Sequence, residues 1–295
     1  MDIECAIKKY QLSEEDFERH ADNLFKILAM NAKPTNKPKL VLVGGQAGSG
    51  KTGLVAKKNK ELAEGAIIID QDEIRARFPE EMYREILQKY DDREEYLILK
   101  PYVLKMRQAL VDRARNGGYN VIMETAMQAV DSFIPQIQSF EDAGYDTELS
   151  VIAVPETDCF LSTLNRYCLY LQKDGYCRRN TKMDSQMIVK LRNNLEKFDQ
   201  TKLFDNINIY VRGENPNQEP IQIYSDKSGT METPLQAFDK GIRKSRKQSR
   251  NTFPRRAKAI RKILEEFNEN EQINTLNQIE QQFEKEMEDR GEYDE

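Results

Sequence analysis

The amino-acid sequence predicts an α/β fold in which a parallel sheet carries helices on both faces. Three observations support this prediction. The chain has 295 residues, which suits one large domain or two small ones. Short apolar runs alternate with longer helical patterns, as they do in βαβ units. The first apolar run leads directly into a glycine-rich segment, at the position where such sheets bind their ligands.

The predicted elements follow one another in a regular order. Ser13 and the acidic residues after it resemble a helix N-cap with an acidic first turn. Short apolar runs predict buried strands at residues 39–43, 66–69, 120–123, 149–154 and 207–211. Helical patterns occupy about residues 94–115, 130–143, 157–173 and 184–199.

The C-terminal part differs in charge from the rest of the chain. Residues 240–262 contain 11 Lys or Arg and no acid, whereas residues 263–295 contain 12 acids. Apolar residues keep a helical spacing in both segments, so we expect one or two surface helices that close the fold. We therefore predict a domain over residues 1–239 and a charged helical extension over residues 240–295. A solvated helix face beside an acidic partner explains the basic run better than nucleic-acid binding does.

Composition excludes several classes of function. The single histidine, His20, excludes catalytic triads built on any other histidine and most zinc sites. The cysteines lack the CxxC spacing of zinc ribbons and redox sites; they are Cys5, Cys159, Cys168 and Cys177. No apolar run approaches the roughly 18 residues of a membrane helix, and the N-terminus does not resemble a signal peptide. We therefore expect a cytoplasmic protein without a membrane partner, and a net charge of −5 gives no bias toward nucleic acid.

A phosphate-binding loop follows the first predicted strand. It fits the pattern GxxxxGK followed by Ser or Thr, and its residues are Gly45, Gln46, Ala47, Gly48, Ser49, Gly50, Lys51 and Thr52. The glycines let backbone N–H groups converge on phosphate oxygens, and the next helix adds its dipole. Lys51 is expected to contact the β- and γ-phosphates, and Thr52 to bind Mg²⁺ through its hydroxyl. The predicted sheet is therefore of the P-loop NTPase or kinase-like type.

The nucleotide is expected to be ATP. The chain contains no Asn-Lys-x-Asp segment, which recognises guanine in GTPases. The loop alone does not distinguish a kinase from an ATPase or a nucleotide-controlled switch.

Acidic residues follow two further predicted strands. Asp70 and Asp72 come after the second strand, and Glu124 ends the third. A carboxylate near the γ-phosphate can accept the proton of an attacking hydroxyl or hold Mg²⁺ through water. Either aspartate could instead cap the next helix; we favour catalysis for Asp72 and capping for Asp70. A charge at a buried strand end is costly, so Glu124 is predicted to contact a ligand or metal.

Arginines beyond the fourth strand are candidates for stabilising a transferred phosphoryl group. Arg166 lies in a predicted helix, and Arg178 and Arg179 follow a turn at Asp174 and Gly175. Planar guanidinium groups suit the charge that spreads over phosphoryl oxygens in the transition state. Position alone leaves surface salt bridges as an equal alternative for these arginines.

These motifs occur in an order that resembles the zeta toxins, the kinase toxins of bacterial epsilon/zeta toxin–antitoxin pairs. The resemblance covers about residues 12–238. It is based on the loop, on Ile-Ile-Asp-Gln-Asp-Glu-Ile-Arg at residues 68–75 and on Val-Ile-Met-Glu at residues 121–124. It continues through Leu-Ser-Thr-Leu-Asn-Arg-Tyr at residues 161–167 and Ile-Tyr-Ser-Asp-Lys at residues 223–227.

The resemblance implies ATP-dependent phosphorylation of UDP-N-acetylglucosamine at the 3′-hydroxyl of its sugar, which blocks cell-wall synthesis. Carried over by motif, Lys51 and Thr52 hold the triphosphate and Mg²⁺. Asp72 is the general base for the acceptor hydroxyl.

The resemblance also assigns residues to the acceptor and to the transferred phosphate. Glu124, Thr125 and Arg75 are implied to bind the acceptor. Arg166 and Arg179 are implied to stabilise the phosphoryl group. Arg179 fits better than the arginine before it because it lies 13 positions after Arg166, as in the family pattern.

An epsilon-type antitoxin that covers the nucleotide site is the implied protein partner. The helix predicted after Ser13 and the basic residues Lys57, Lys58 and Lys60 are candidates for docking an acidic helical partner. Core packing is the alternative explanation for the apolar face of that helix.

Two alternatives to the implied function remain open. Glu124 is followed by Thr125 and Ala126 instead of the Gly-Thr of the pneumococcal type, so the acceptor could be another nucleotide sugar or a dinucleotide. The protein could also bind ATP without turnover, but a pure switch does not need a general base such as Asp72.

Overall fold

The computed structural model describes residues 2–127, 131, 133–175, 186–213 and 218–288. The helices in this part of the chain are α1 (Ile3–Lys9), α2 (Glu14–Leu28), α3 (Lys51–Glu61), α4 (Gln71–Ala76), α5 (Glu80–Lys89), α6 (Asp92–Asn116), α7 (Ile134–Glu141), α8 (Glu156–Asp174), α9 (Gln186–Thr201), α10 (Pro234–Glu266) and α11 (Asn270–Glu288). The strands are β1 (Lys39–Gly44), β2 (Ile67–Ile69), β3 (Val121–Thr125), β4 (Asp146–Ile152), β5 (Asn206–Val211) and β6 (Ile221–Ser225). None of the helices described combines the length and the apolar character that a bilayer crossing requires.

The strands form one six-stranded sheet in the order β2-β3-β1-β4-β5-β6. β2 pairs in parallel with β3, with Ile67 opposite Val121 and Ile69 opposite Met123. The edge strand β6 runs antiparallel to β5. The predicted α/β class is confirmed. Strand β6 was not predicted, because most of its side chains are only partly buried and its sequence does not form an apolar run.

Side-chain caps begin several helices where the sequence predicts or allows them. Ser13 Oγ accepts a hydrogen bond of 3.1 Å from the Asp16 N–H at the start of α2. A reciprocal capping box between Asp91 and Glu94 starts α6. Such caps satisfy N–H groups that have no partner inside the helix. Helices α1 and α5 were not predicted.

The first compact unit comprises Met1–Leu42, Val55–Glu124 and Asp131–Glu148. Its longest helix, α6, packs against α1, α2, α4 and α5. On α2, Phe17 and Leu24 are buried in the core of this unit. Core packing therefore accounts for the apolar face of the helix that follows Ser13.

The second compact unit comprises Val43–Leu54, Thr125–Val130 and Leu149–Glu295. Helices α8, α10 and α11 pack against one another around an apolar cluster. The cluster contains Phe160, Leu161, Leu164, Tyr167, Cys168 and Leu171 of α8, Phe253, Ala257, Ile260 and Leu264 of α10, and Leu276, Ile279 and Phe283 of α11. Helices α10 and α11 are the predicted C-terminal helices, and the apolar residues that keep a helical spacing in them are buried against α8.

Helix α10 also lies very close to the sheet. A Cβ atom on Gly241 would be 2.9 Å from Ala153 Cβ and 2.9 Å from Ile223 Cδ1. The helix can approach because this residue has no side chain. The predicted domain boundary at residue 239 falls inside α10, and the division at that point stays a prediction.

The cysteines of α8 are structural. Cys159 and Cys168 are buried, and burial raises the pKa of the Cys159 thiol to about 12. A thiol with a raised pKa is a poor nucleophile because little of it is ionised. Cys5 is exposed, and Cys177 lies outside the described residues.

Candidate active site

The phosphate-binding loop has a backbone shape that requires glycine. Gly48 and Gly50 have φ values of +76° and +95°, which residues with a Cβ adopt only at a cost. A Cβ on Gly48 would lie 2.2 Å from the Cys159 carbonyl oxygen and 2.7 Å from Thr163 Oγ1. The loop therefore packs directly on α8, and a side chain at residue 48 would separate the two.

The Lys51 ammonium lies over the loop backbone. Its Nζ donates hydrogen bonds of 2.9 Å to the carbonyl oxygens of Gly45 and Gln46. Lys51 is also the first residue of α3, so a helix N-terminus with its positive dipole adjoins the loop. The flexible lysine stem can move the ammonium from these carbonyls to phosphate oxygens. The predicted contact between Lys51 and a triphosphate is compatible with this geometry.

Two buried polar atoms of the loop, Gln46 Oε1 and Ser49 Oγ, have no hydrogen-bond partner among the described residues. Gln46 is only 2% exposed and Ser49 only 1% exposed. A buried polar atom without a partner costs about 1–3 kcal/mol, so a ligand that supplies one is favoured. The Ser49 hydroxyl can donate to a phosphate oxygen.

The predicted role of Thr52 in metal binding stays a prediction. Thr52 is exposed at the start of α3, and its hydroxyl makes no hydrogen bond with any residue of the described ranges. No cluster of three or more His, Cys, Asp or Glu in the described part of the chain could hold a metal ion alone. Mg²⁺ binding would therefore combine Thr52 with phosphate oxygens and water, which is how this ion usually binds at nucleotides.

Arg212 is a residue of this site that the sequence analysis missed. It directly follows β5 and contacts the outer side of the loop. Its Nε donates a 2.9 Å hydrogen bond to the Ser49 carbonyl oxygen, and its Nη2 donates to the Gly48 carbonyl oxygen. The contact joins residues 163 positions apart, so no local pattern could reveal it. The one available signal was a cation directly after a predicted strand.

The end of β3 is tied to the start of the loop. The Gly45 N–H donates to the Thr125 carbonyl oxygen at 3.2 Å. The buried Thr125 hydroxyl accepts a 2.9 Å hydrogen bond from the Met127 N–H, and Met127 has a positive φ of 53°. Asn194 of α9 donates to the Met127 carbonyl oxygen at 2.5 Å. Thr125 therefore has a structural role beside its predicted role in acceptor binding. Glu124 is only half-buried, and its predicted ligand contact stays a prediction.

Asp70 and Asp72 have different surroundings at the start of α4. Asp70 is the N-cap, and its Oδ1 accepts a 2.9 Å hydrogen bond from the Asp72 N–H. The Asp72 side chain is 61% exposed, and its Oδ1 lies 3.3 Å from Arg75 Nη2. Capping therefore accounts for Asp70, whereas the Asp72 carboxylate is accessible to an acceptor. The predicted role of Asp72 as a general base stays a prediction.

A cleft in the first unit adjoins this helix. It is lined by Gln71, Arg75, Tyr96, Lys100, Val103 and Leu104. The Arg75 guanidinium lies over the Tyr96 ring, 5.3 Å from its centroid, which fixes its direction. Lys100 is exposed and has no hydrogen bond or ion pair among the described residues. The cleft thus presents two cations and an aromatic ring.

The predicted phosphoryl-binding arginines are only partly described. Arg166 is exposed on α8, and it makes no hydrogen bond or ion pair with any residue that the structure describes. It lies one helical turn after Ser162, so both side chains project from the same face of α8. Arg178 and Arg179 lie outside the described residues.

One of the basic residues predicted to dock an antitoxin points inward instead. Lys58 is only 5% exposed. Its Nζ lies 2.7 Å from Glu148 Oε1 and 2.9 Å from Glu61 Oε2. The Lys58 charge therefore lies inside the first unit and does not contribute to a basic surface. The expectation that this residue docks an acidic partner is wrong.

A family model described as Zeta toxin matches residues 22–227. The chain belongs to the zeta toxin family. Zeta toxins of Streptococcus agalactiae and Streptococcus pyogenes are 30% and 28% identical to it, over 75% and 78% of this chain and 74% and 78% of their own lengths. Toxin PezT of Streptococcus pneumoniae is 32% identical over 68% of this chain and 79% of its own length.

Solved structures share the zeta toxin fold of this chain. A structure from the PezAT chromosomal toxin–antitoxin system of Streptococcus pneumoniae superimposes with a TM-score of 0.73 at 23% identity, covering 91% of this chain and 100% of that chain. The AvrRxo1-ORF1:AvrRxo1-ORF2 complex with sulphate ions has a TM-score of 0.55 at 14% identity, covering 84% of each chain. The same pair solved with ATP has a TM-score of 0.50 at 14% identity, covering 78% of this chain and 70% of that chain. At these identities the likeness concerns the fold, which is kinase-like.

Proposed function

We propose that this protein is an ATP-dependent kinase that phosphorylates the sugar 3′-hydroxyl of UDP-N-acetylglucosamine and acts as the toxin of a toxin–antitoxin pair. The observation that carries the proposal is the presence, in one zeta toxin chain, of an intact phosphate-binding loop and an exposed Asp72 carboxylate at the start of the helix after β2. The loop is suited to bind a nucleoside triphosphate, and the carboxylate is suited to accept the proton of an acceptor hydroxyl.

In the proposed reaction, Lys51 leaves the loop carbonyls and contacts the β- and γ-phosphates of ATP. Asp72 accepts the proton of the 3′-hydroxyl while that oxygen forms a bond to the γ-phosphorus. The bond from the γ-phosphorus to the bridging oxygen breaks, so ADP and the phosphorylated sugar nucleotide are the products. Mg²⁺ held by Thr52 and phosphate oxygens would neutralise part of the phosphate charge. Arg166 and Arg179 stabilise the charge on the transferred group.

The cleft beside α4 in the first unit has a volume of only about 30 Å³, and we propose that the charged side chains at its rim contact an anionic acceptor. Arg75 and Lys100 are cations that suit the diphosphate of a nucleotide sugar, and the Tyr96 ring offers a surface for a base or a sugar. Arg75 already lies 3.3 Å from Asp72 Oδ1, so a neutral sugar without a diphosphate would leave Lys100 as the cation of this cleft that lacks a counter-charge among the described residues. This chemistry favours a nucleotide sugar, with a dinucleotide as the second candidate because it carries the same diphosphate group.

The toxin role follows from the relatives. Proteins named Toxin zeta and Toxin PezT are similar to this chain, and the PezAT structure belongs to a toxin–antitoxin system. We therefore propose an epsilon-type antitoxin partner that occludes the nucleotide site. Competition would test this: saturating ATP should weaken antitoxin binding, and the antitoxin should weaken ATP binding by the same factor. Simultaneous binding without mutual weakening would contradict occlusion.

The acceptor is identified by incubating the purified protein with ATP, Mg²⁺ and single members of a panel of nucleotide sugars and dinucleotides. Mass spectrometry then detects the addition of one phosphoryl group. UDP-N-acetylglucosamine should be modified faster than its glucose and galactose analogues. Modification of a dinucleotide alone would favour the second candidate, and ATP binding without any modified acceptor would overturn the kinase proposal.

Variants separate the two substrates. Asp72→Asn should lower kcat by about 100- to 10,000-fold while ATP binds as before, because the carboxylate acts on the acceptor. Lys51→Ala should weaken ATP binding as well as turnover. Glu73→Gln is the matched control, since this neighbouring carboxylate bonds Arg77 Nη2 at 2.7 Å and has no proposed role. Equal losses in the Asp72 and Glu73 variants would contradict the general-base role.

A further inference from the structure

Two arginines meet on one hydroxyl behind the phosphate-binding loop. Arg212 Nη2 donates to Ser162 Oγ at 3.1 Å, in addition to its bonds to the Gly48 and Ser49 carbonyl oxygens. Arg256, from the middle of α10, donates to the same Ser162 Oγ through Nη2 at 2.8 Å. A chain of hydrogen bonds therefore runs from α10 to the loop, entirely within the second unit.

The Ser162 hydroxyl is fully used in this chain. It donates its own proton to the Asp158 carbonyl oxygen at 2.7 Å. A hydroxyl has one donor and two acceptor lone pairs, so the two arginines occupy the remaining capacity. Removing either arginine frees Ser162 to reorient, and the other arginine then loses a fixed partner.

Arg256 is itself anchored by a buried carboxylate. Its Nη1 lies 3.1 Å from Asp158 Oδ1, and the Asp158 side chain is only 3% exposed. Burial lowers the pKa of Arg256 on balance, although the Asp158 carboxylate acts in the opposite direction. The Asp158 carboxylate offsets the charge of Arg256 and holds its guanidinium group within hydrogen-bond distance of Ser162.

Hydrogen bonds to the outer carbonyl oxygens control the inner face of the loop. Each peptide unit is planar, so fixing a C=O on one side fixes the N–H of the next residue on the opposite side. Arg212 fixes the carbonyls of Gly48 and Ser49, and with them two peptide planes: one carries the Ser49 N–H, which donates to the Gln46 carbonyl oxygen at 3.1 Å, and the other carries the Gly50 N–H. N–H groups of such loops are the ones that cradle phosphate oxygens.

We propose that Arg256, acting through Ser162 and Arg212, is a positioning residue of the phosphate-binding loop, so that helix α10 is part of the nucleotide-binding apparatus. The proposal rests on the proposed ATP site but is independent of the identity of the acceptor. It assigns a function to the basic C-terminal segment, in which Arg256 is distinguished from its exposed neighbours by its contacts with Asp158 and Ser162.

Calorimetric titration of the full-length protein with ATP, and separately with inorganic triphosphate, tests the proposal. Arg212→Ala should raise the Kd of both by about tenfold, the effect of losing one charge-assisted hydrogen bond. Arg256→Lys can keep the ion pair with Asp158 but cannot also reach Ser162. This variant should fold and should raise both Kd values several-fold. Ser162→Ala should act in the same direction.

Two controls separate positioning from a general loss of structure. Arg261→Lys alters another arginine of α10, which bonds Glu280 and Asn277 of α11, and should leave both Kd values unchanged. The double variant Arg212→Ala/Arg256→Lys should bind ATP no more weakly than Arg212→Ala alone. The reason is that Arg256 acts on the loop only through Arg212, so its replacement has no further effect once Arg212 is removed.

Several outcomes would overturn the proposal. They are wild-type ATP affinity in both Arg256→Lys and Ser162→Ala, multiplication of the two single effects in the double variant, and no binding of ATP or triphosphate by the wild-type protein. ATP binding by the wild type without phosphorylation of any acceptor overturns only the proposed kinase reaction, and the variant series still tests the positioning role.

Discussion

Replacing Gly48 by alanine separates the geometry of the phosphate-binding loop from its chemistry, because it adds one methyl group and no charge. The new Cβ would lie 2.2 Å from the Cys159 carbonyl oxygen. That is about 1 Å closer than the roughly 3.3 Å of a favourable carbon–oxygen contact. The positive φ of +76° adds a backbone cost of about 1–2 kcal/mol for a residue with a Cβ. Either the loop or α8 must therefore move by about 1 Å.

A shift of this size has a larger effect on turnover than on folding. Misplacing reacting groups by about 1 Å costs on the order of 100-fold in rate. Backbone strain and overpacking together should lower the free energy of unfolding by about 2–5 kcal/mol. We therefore expect Gly48→Ala to remain folded, with kcat reduced about 100-fold on the best acceptor and with weakened ATP binding.

The assay combines ADP release under saturating acceptor, calorimetric ATP binding and urea unfolding. Gly229→Ala is the matched control: Gly229 has a φ of +71°, and its added Cβ would have no atom within 4 Å. The control should lose about 1–2 kcal/mol of stability and keep full turnover. The reasoning is refuted if the Gly48 variant turns over and binds ATP as well as the Gly229 variant.

Three further predictions concern stability. Hydrogen bonds from two lysine ammonium groups lower the pKa of Glu85 from 4.5 to about 2. Glu85→Gln should therefore lower the thermal unfolding midpoint at neutral pH, and the difference from the wild type should disappear as the pH falls from 4.5 toward 2. A difference in midpoint that does not change with pH would contradict this prediction. Phe253 stacks on Phe283 at 3.8 Å between centroids, and Phe253→Ala should cost about 3–5 kcal/mol in urea unfolding; a cost below about 1 kcal/mol would mean that this contact is not part of the folded core. Gly241→Ala should lower the free energy of unfolding by about 1 kcal/mol, although alanine has the better helix propensity, because the added Cβ would press on Ala153. A gain in stability would show that α10 can move away from the sheet.

The parts of the fold that local sequence determines were predictable. Consecutive apolar residues locate the central strands, and the glycines, Lys51 and Thr52 define the phosphate-binding loop within a few positions of one another. The Asp70 cap could be favoured over catalysis because capping involves residues only two positions apart. In each case the sequence pattern and the structure it forms lie in the same short segment.

The features that were missed depend on distant contacts. Arg212 acts on backbone 163 residues away, and Arg256 acts on Asp158 across 98 residues. Lys58 belongs to a basic run that looks exposed, but Glu148 on another element draws it into the interior. The apolar faces of α10 and α11 were predictable from their helical spacing, but their packing on α8 depends on contacts between residues far apart in the chain.

The burial of the α8 apolar face beneath the last two helices has a genetic consequence. A stop codon between residues 239 and 253 would remove every cluster residue of α10 and α11, expose the apolar face of α8 that holds Phe160, Leu164 and Leu171, and leave a truncated chain prone to aggregation and proteolysis. If expression of the protein harms its host, cells that escape by mutation should carry lesions at the 3′ end of the gene as well as in the codons of the loop. A screen for escape mutants would thus identify the supporting helices of the fold together with the phosphate-binding loop.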